Sequence, residues 1–131
     1  MRVLIAGDKT LLIAEDDPAV RSMVAKWVWP NGFRAIEADC AGDALDRMAD
    51  TPAAVALCDI NLPDRDGMWL AAQLRRQFPD MALVMMTDYG ITSLPLVVDA
   101  NSIGCLTKPF TQEQLLQTLD WALQWRLENA A

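Results

Sequence analysis

The sequence predicts an α/β fold, a doubly wound, three-layer sandwich in which five β/α units build one five-stranded parallel sheet. Three observations predict it. Short apolar runs alternate with longer amphipathic stretches along the whole chain, the pattern of βαβ units. The run Ala54–Cys58 is apolar without interruption, as a strand covered on both faces must be. With 131 residues, 53% hydrophobic, 6 Gly and 7 Pro, the chain can bury the core of one domain and is not built for disorder.

The elements follow in order. Leu11–Ala14 is the first strand and runs into the acidic cluster Glu15-Asp16-Asp17. Asp17-Pro18 starts a helix, with Asp as N-cap and Pro at the first helical position. Val20, Met23, Val24, Trp27 and Val28 form its apolar face, and Pro30-Asn31-Gly32 stops it. Phe33–Ala38 reads as the second strand. Ala41–Ala49 is a short helix with Ala44, Leu45 and Met48 at helical spacing.

Ala54–Cys58 ends at Asp59, a loop follows through Asn61-Leu62-Pro63-Asp64, and Asp66-Gly67 leads into a helix reaching Phe78. Ala82–Met86 is the fourth strand, ending at Thr87. A helix over Thr92–Ala100 is disturbed by Pro95. Gly104–Thr107 is the fifth strand, ending at Lys108-Pro109. Thr111 to Gln114 form a capping box for a last helix running to Glu128. Residues 10–131 are expected as the domain, and residues 1–9 as a loose N-terminal extension rather than a hairpin through Gly7-Asp8.

Composition excludes several functions. The net charge is −7 and the 11 basic residues form no run, so direct nucleic-acid binding is not expected. No apolar run reaches the length of a membrane span. The 3 cysteines, Cys40, Cys58 and Cys105, lie far apart and read as reduced thiols in a cytoplasmic protein. The chain has 0 histidines, which removes histidine bases, histidine-ligated zinc and Ser-His-Asp triads together.

In an open parallel sheet, ligands bind beyond the carboxyl ends of the strands. Four of those ends carry polar residues: Glu15 and Asp16, Asp59, Thr87, and Lys108. A single Asp after a strand is ordinarily a turn or cap residue, but capping does not account for all four ends. Carboxylates brought together repel unless a cation sits among them, and oxygen donors without Cys or His suit Mg²⁺. A lysine supplies positive charge, and a threonine hydroxyl donates to an oxyanion. A carboxylate nucleophile, a metal, a lysine and a hydroxyl are the parts of in-line phosphoryl transfer. Asp59 is the best nucleophile, because a rigid apolar strand presents it. Asp16 and Glu15 are then the metal-site acids, and Asp17 is the helix cap rather than a third ligand.

The segments LLIAEDDP (11–18), ALCDINLPDRDG (56–67), VMMTDYG (84–90) and CLTKPF (105–110) resemble the signature segments of the response-regulator receiver family, over residues 10–127. The resemblance implies a flavodoxin-like (βα)5 fold. It implies that Asp59 accepts phosphoryl from the phosphohistidine of a sensor histidine kinase or a phosphotransfer protein. Asp16 would ligate Mg²⁺ directly, Glu15 largely through water, and Asn61 through its backbone carbonyl. Lys108 would contact the phosphoryl oxygens, with Lys108-Pro109 often cis, and Thr87 would move its hydroxyl onto the phosphoryl group. The domain would assist its own phosphorylation without being an enzyme in the usual sense. Asn61 and Tyr89 would tune dephosphorylation.

Two positions depart from the family. Cys105 stands where an aromatic switch residue is usual and is expected as a small buried hydrophobe. Asp88 stands where a small residue is usual; pointing inward it would slow phosphotransfer. On the last helix, Leu115, Leu116, Leu119 and Leu123 are the expected core face. Trp121 and Trp125 fall nearly opposite and suggest contact with an output domain or a second copy. The alternative is a degenerate receiver serving as a phosphorylation-independent interaction module. A phosphatase with an aspartyl nucleophile is disfavoured because Asn61 stands where a second acid is needed. A flavin protein is disfavoured because no phosphate-cradling loop follows the first strand.

Overall fold

The structure, a computed structural model, describes residues 8–88 and 103–129. Five strands, β1 (Thr10–Ala14), β2 (Arg34–Ala38), β3 (Val55–Asp59), β4 (Ala82–Thr87) and β5 (Ile103–Thr107), form one sheet. Among the described residues four α-helices accompany them: α1 (Pro18–Val28), α2 (Ala41–Asp50), α3 (Gly67–Gln77) and α4 (Gln112–Asn129). All pairings are parallel, in the order β2-β1-β3-β4-β5. From β1 the chain moves outward to β2, then crosses back to β3 on the other side. The crevice of such a sheet opens at that reversal, beyond the carboxyl ends of β1 and β3.

Strand alternation sorts the core into two halves. Leu12, Ala14, Ala56, Cys58, Leu83 and Met85 face Ala44, Met48, Leu70 and Leu74 of α2 and α3. Leu11, Ile13, Val55, Leu57, Val84 and Met86 face Val24, Val28, Leu115 and Leu119 of α1 and α4. β3 lies in the middle and is buried at all five positions.

Local signals account for the helix ends. The Asp17 side chain accepts from the Ala19 amide at 2.9 Å, capping α1 with Pro18 at its first position. A 3-10 turn (Trp29–Asn31) follows, and Gly32 closes it at φ 87°, a left-handed conformation suited to glycine. At α4 the capping box is reciprocal: Gln114 N–H donates to Thr111 Oγ1 at 3.1 Å and Thr111 N–H to Gln114 Oε1 at 2.9 Å.

Two expectations need amendment. Trp125 does not face away from the core: it packs against the α1/α4 half, with the Arg75 guanidinium 4.6 Å from its ring centre. Cys105 is half-buried rather than fully buried, on the face of its register partner Met85. Trp121 keeps 37% of its surface exposed, and its ring lies over Gly104, where a Cβ would come within 2.8 Å of it. Asp8 and Lys9 adjoin the sheet: Arg34 N–H donates to the Lys9 carbonyl at 2.9 Å. Residues 1–7, the expected Thr92–Ala100 helix with Pro95, and Tyr89 lie outside the described residues.

Candidate functional site

Four strand ends supply the polar cluster. β1 runs out at Ala14, placing Glu15 inward and Asp16 at the surface. β3 ends on Asp59, whose backbone is fixed by Ile60 N–H donating to the Met86 carbonyl at 2.9 Å. Beyond β5, Lys108 N–H donates to the Thr87 carbonyl at 2.7 Å, and the Lys108–Pro109 peptide is cis. Thr87 at the end of β4 is buried completely.

Glu15, Asp16 and Asp59 each offer an oxygen within 4.8 Å of the others. Glu15 and Asp59 are buried, at 1% and 5% exposure, whereas Asp16 opens to solvent. Lys108 turns inward: its ammonium donates to Glu15 Oε1 at 2.7 Å and to Asp59 Oδ2 at 3.0 Å. The other Asp59 oxygen, Oδ1, accepts from the Asn61 amide at 3.0 Å, and Glu15 Oε2 from the Asp17 amide at 3.1 Å. Thus one ammonium bonds two of the three acids.

The electrostatics follow from burial and crowding. Burial, with Asp59 alongside, pushes the Glu15 carboxyl up to about 7, although Lys108 pulls the other way. For Lys108 burial alone would lower its pKa, but the two carboxylates override it and hold the ammonium above the usual lysine value. The excess acid, all oxygen donors with no thiol or imidazole among them, fits a hard divalent cation.

The carboxylates expected from β1 and β3 are therefore together, with Lys108 bonded between two of them. Asn61 is exposed and pairs with Asp66 across the loop. Asp88 is exposed and lines an apolar recess of about 420 Å³ with Lys108, Pro109, Phe110, Val20 and Met23.

The sequence profile of the response regulator receiver domain matches residues 11–120, nearly the whole described sheet and its helices. The chain belongs to this family. Its relatives include the response regulator receiver protein CpdR of Brucella abortus, 28% identical over 86% of this chain and 94% of CpdR. The sensor protein TorS of Escherichia coli is 31% identical over 91% of this chain, which spans 13% of TorS. The transcriptional regulatory protein GlrR of Escherichia coli is 27% identical, and this chain spans 26% of it. Among solved structures, a response regulator receiver domain protein (CheY-like) from Methanospirillum hungatei superposes with a TM-score of 0.81 at 26% identity. That superposition covers 93% of this chain and 98% of the other.

Two residues of this receiver domain that hold the site in place carry no mark in the sequence. Arg21 on α1 donates to the Glu15 carbonyl at 2.7 Å and to Glu37 Oε1 at 3.2 Å, tying the acidic loop to β2. Asp64, in the loop after Asp59, accepts from the amides of Ala41 and Gly42 at 2.9 Å each. Glu37 lies 16 residues from Arg21, and Ala41 and Gly42 lie 23 and 22 residues from Asp64, so only the folded chain pairs them. Gly67 is the exception, legible as the Asp-Gly entry to α3. A Cβ there would fall on the Asp59 carbonyl oxygen and within 2.7 Å of Ile60 Cα.

Proposed function

We propose that this receiver domain is the phosphoacceptor of a two-component pathway. Asp59 takes phosphoryl from the phosphohistidine of a sensor histidine kinase or a phosphotransfer protein. The observation that carries this reading is the Lys108 ammonium bridging Glu15 and Asp59 at 2.7 and 3.0 Å. The donor set supports Mg²⁺, held by Glu15, Asp16, Asp59 and the carbonyl of Asn61. When bound, Mg²⁺ neutralises phosphoryl oxygens and brings the acids together at full charge.

The protein's own groups do the rest. Lys108 and the Asn61 amide hold the two Asp59 oxygens, orienting the carboxylate for in-line attack. A carboxylate oxygen forms the new O–P bond as the N–P bond of the donor breaks and the imidazole leaves. Lys108 then follows the charge onto the phosphoryl oxygens, and Thr87 donates its hydroxyl to one of them. The domain consumes phosphoryl as a signal and is not an enzyme in the usual sense. The assembled acceptor group favours this over an interaction module that works without phosphorylation.

Residues 10–131 form the receiver unit, with 1–9 as an extension, and we place it in the cytoplasm, where the unpaired thiols of Cys40, Cys58 and Cys105 are stable. Among the described residues no helix is long and apolar enough to cross a membrane. Contact with an output domain or a second copy falls to α4, where Trp121 and Leu127 are exposed, at 37% and 44%, while Trp125 is engaged within the domain.

The test is incubation with Mg²⁺ and a small phosphodonor, read by intact mass for wild type and Asp59→Asn. An adduct on wild type alone is expected. No adduct on wild type, or an equal one on Asp59→Asn, overturns the assignment.

A further inference from the structure

We infer that Asp64 is a positioning residue for the metal and acceptor loop, clasping it to the N-terminus of α2; this rests on the function proposed above. The loop from Ile60 to Asp66 links β3 to α3 and contains Asn61. Its ends are tied inward. Asn61 N–H donates to Asp59 Oδ1 at 3.0 Å, Gly67 N–H to the Ile60 carbonyl at 2.8 Å, and Met68 N–H to Asp66 Oδ1 at 2.8 Å. These bonds keep the loop on its own strand and helix. Asp64, between them, reaches across to a different element. Its Oδ1 accepts from Ala41 N–H and its Oδ2 from Gly42 N–H, both at 2.9 Å.

The receiving end is built for a carboxylate. Ala41 and Gly42 are the first two residues of α2, whose amides have no partner within the helix. The N-cap is Cys40, whose sulfur accepts from Asp43 N–H at 3.4 Å, a weak acceptor where an oxygen is usual. Asp64 supplies from another element the oxygens that Cys40 lacks, and its charge sits at the positive end of the helix. The two amides hold its carboxyl below the usual range, so the clasp stays charged at neutral pH. The consequence falls on Asn61, three residues earlier, whose carbonyl must keep one direction to serve a small, geometrically strict cation.

The test is isothermal titration of the full chain with MgCl₂ for wild type and Asp64→Ala, with the folded state checked by circular dichroism and thermal unfolding in EDTA. Mg²⁺ affinity is expected to fall about tenfold in Asp64→Ala, the scale of losses when a group orienting a metal ligand is removed. A folded Asp64→Ala that binds Mg²⁺ within twofold of wild type overturns the clasp, even if its thermal midpoint drops. Should Asp64→Ala fail to fold, Asp64→Asn decides by the same twofold limit. Wild type that binds no Mg²⁺ overturns both this inference and the function it rests on.

Discussion

Glu15 carries the electrostatic tension of the site. Its carboxyl is buried beside Asp59, and a single lysine serves both. With its folded value near 7, above the usual 4.5, the folded protein holds this proton more tightly than the unfolded chain. The stability it contributes is full below pH 4.5 and is lost as pH rises through about 7. Without metal, Glu15 should make stability decline across that window by at most about 1.4 kcal/mol per pH unit. A divalent ion competes with the same proton. Mg²⁺ affinity should therefore rise from pH 5.5 to 7.5 and binding at pH 6 should release a proton. Titration calorimetry in two buffers of different ionisation enthalpy checks this; no proton release would contradict the shift. Cys58, next to Asp59, is pushed up to about 12 by burial, so its thiol stays protonated and inert.

At the level of elements, the site depends on how helices begin. α1 and α3 each start on an Asp that caps its own helix, Asp17 and Asp66. Gly67, the first residue of α3, lets that helix start directly against the carbonyl of Asp59. Helix propensity alone would favour alanine there by about 1 kcal/mol. The contact reverses the sign, because backbone rather than a flexible side chain stands in the way. Gly67→Ala should cost about 2 kcal/mol or more in urea unfolding and should lower Asp59 phosphorylation. A stabilised variant would disprove the close approach. The last helix is held at its far end by Arg75, which reaches from α3 over Trp125 and donates to the Met81 carbonyl at 2.8 Å.

At the scale of the whole molecule, β3 joins both halves of the core and ends on Asp59, the proposed acceptor. Leu57, two residues before Asp59, is paired beside Ile13 and Val84 and is fully buried. Truncation to alanine should cost about 3 kcal/mol by chemical denaturation. Against a total of about 5–15 kcal/mol for a domain, that is a large share. The central strand holds Asp59 buried, while Asp16, on the loop after β1, is exposed to solvent.

The sequence alone determined what local physics can write. Short apolar runs and period-3.6 apolar faces placed the described strands and helices within a few residues, and Asp17-Pro18 and Thr111 to Gln114 marked helix starts. The order of strand ends named Glu15, Asp16, Asp59, Thr87 and Lys108 as one group before any geometry existed. Tertiary structure alone decided how those groups pair: Lys108 lies 93 residues from Glu15, and no local pattern encodes that 2.7 Å contact. It also placed Trp125 under Arg75 and Asp64 on α2, because both depend on which surfaces meet once the sheet has formed. Patterns near in sequence record backbone preference and burial, whereas contacts between distant residues are recorded only in the packed chain.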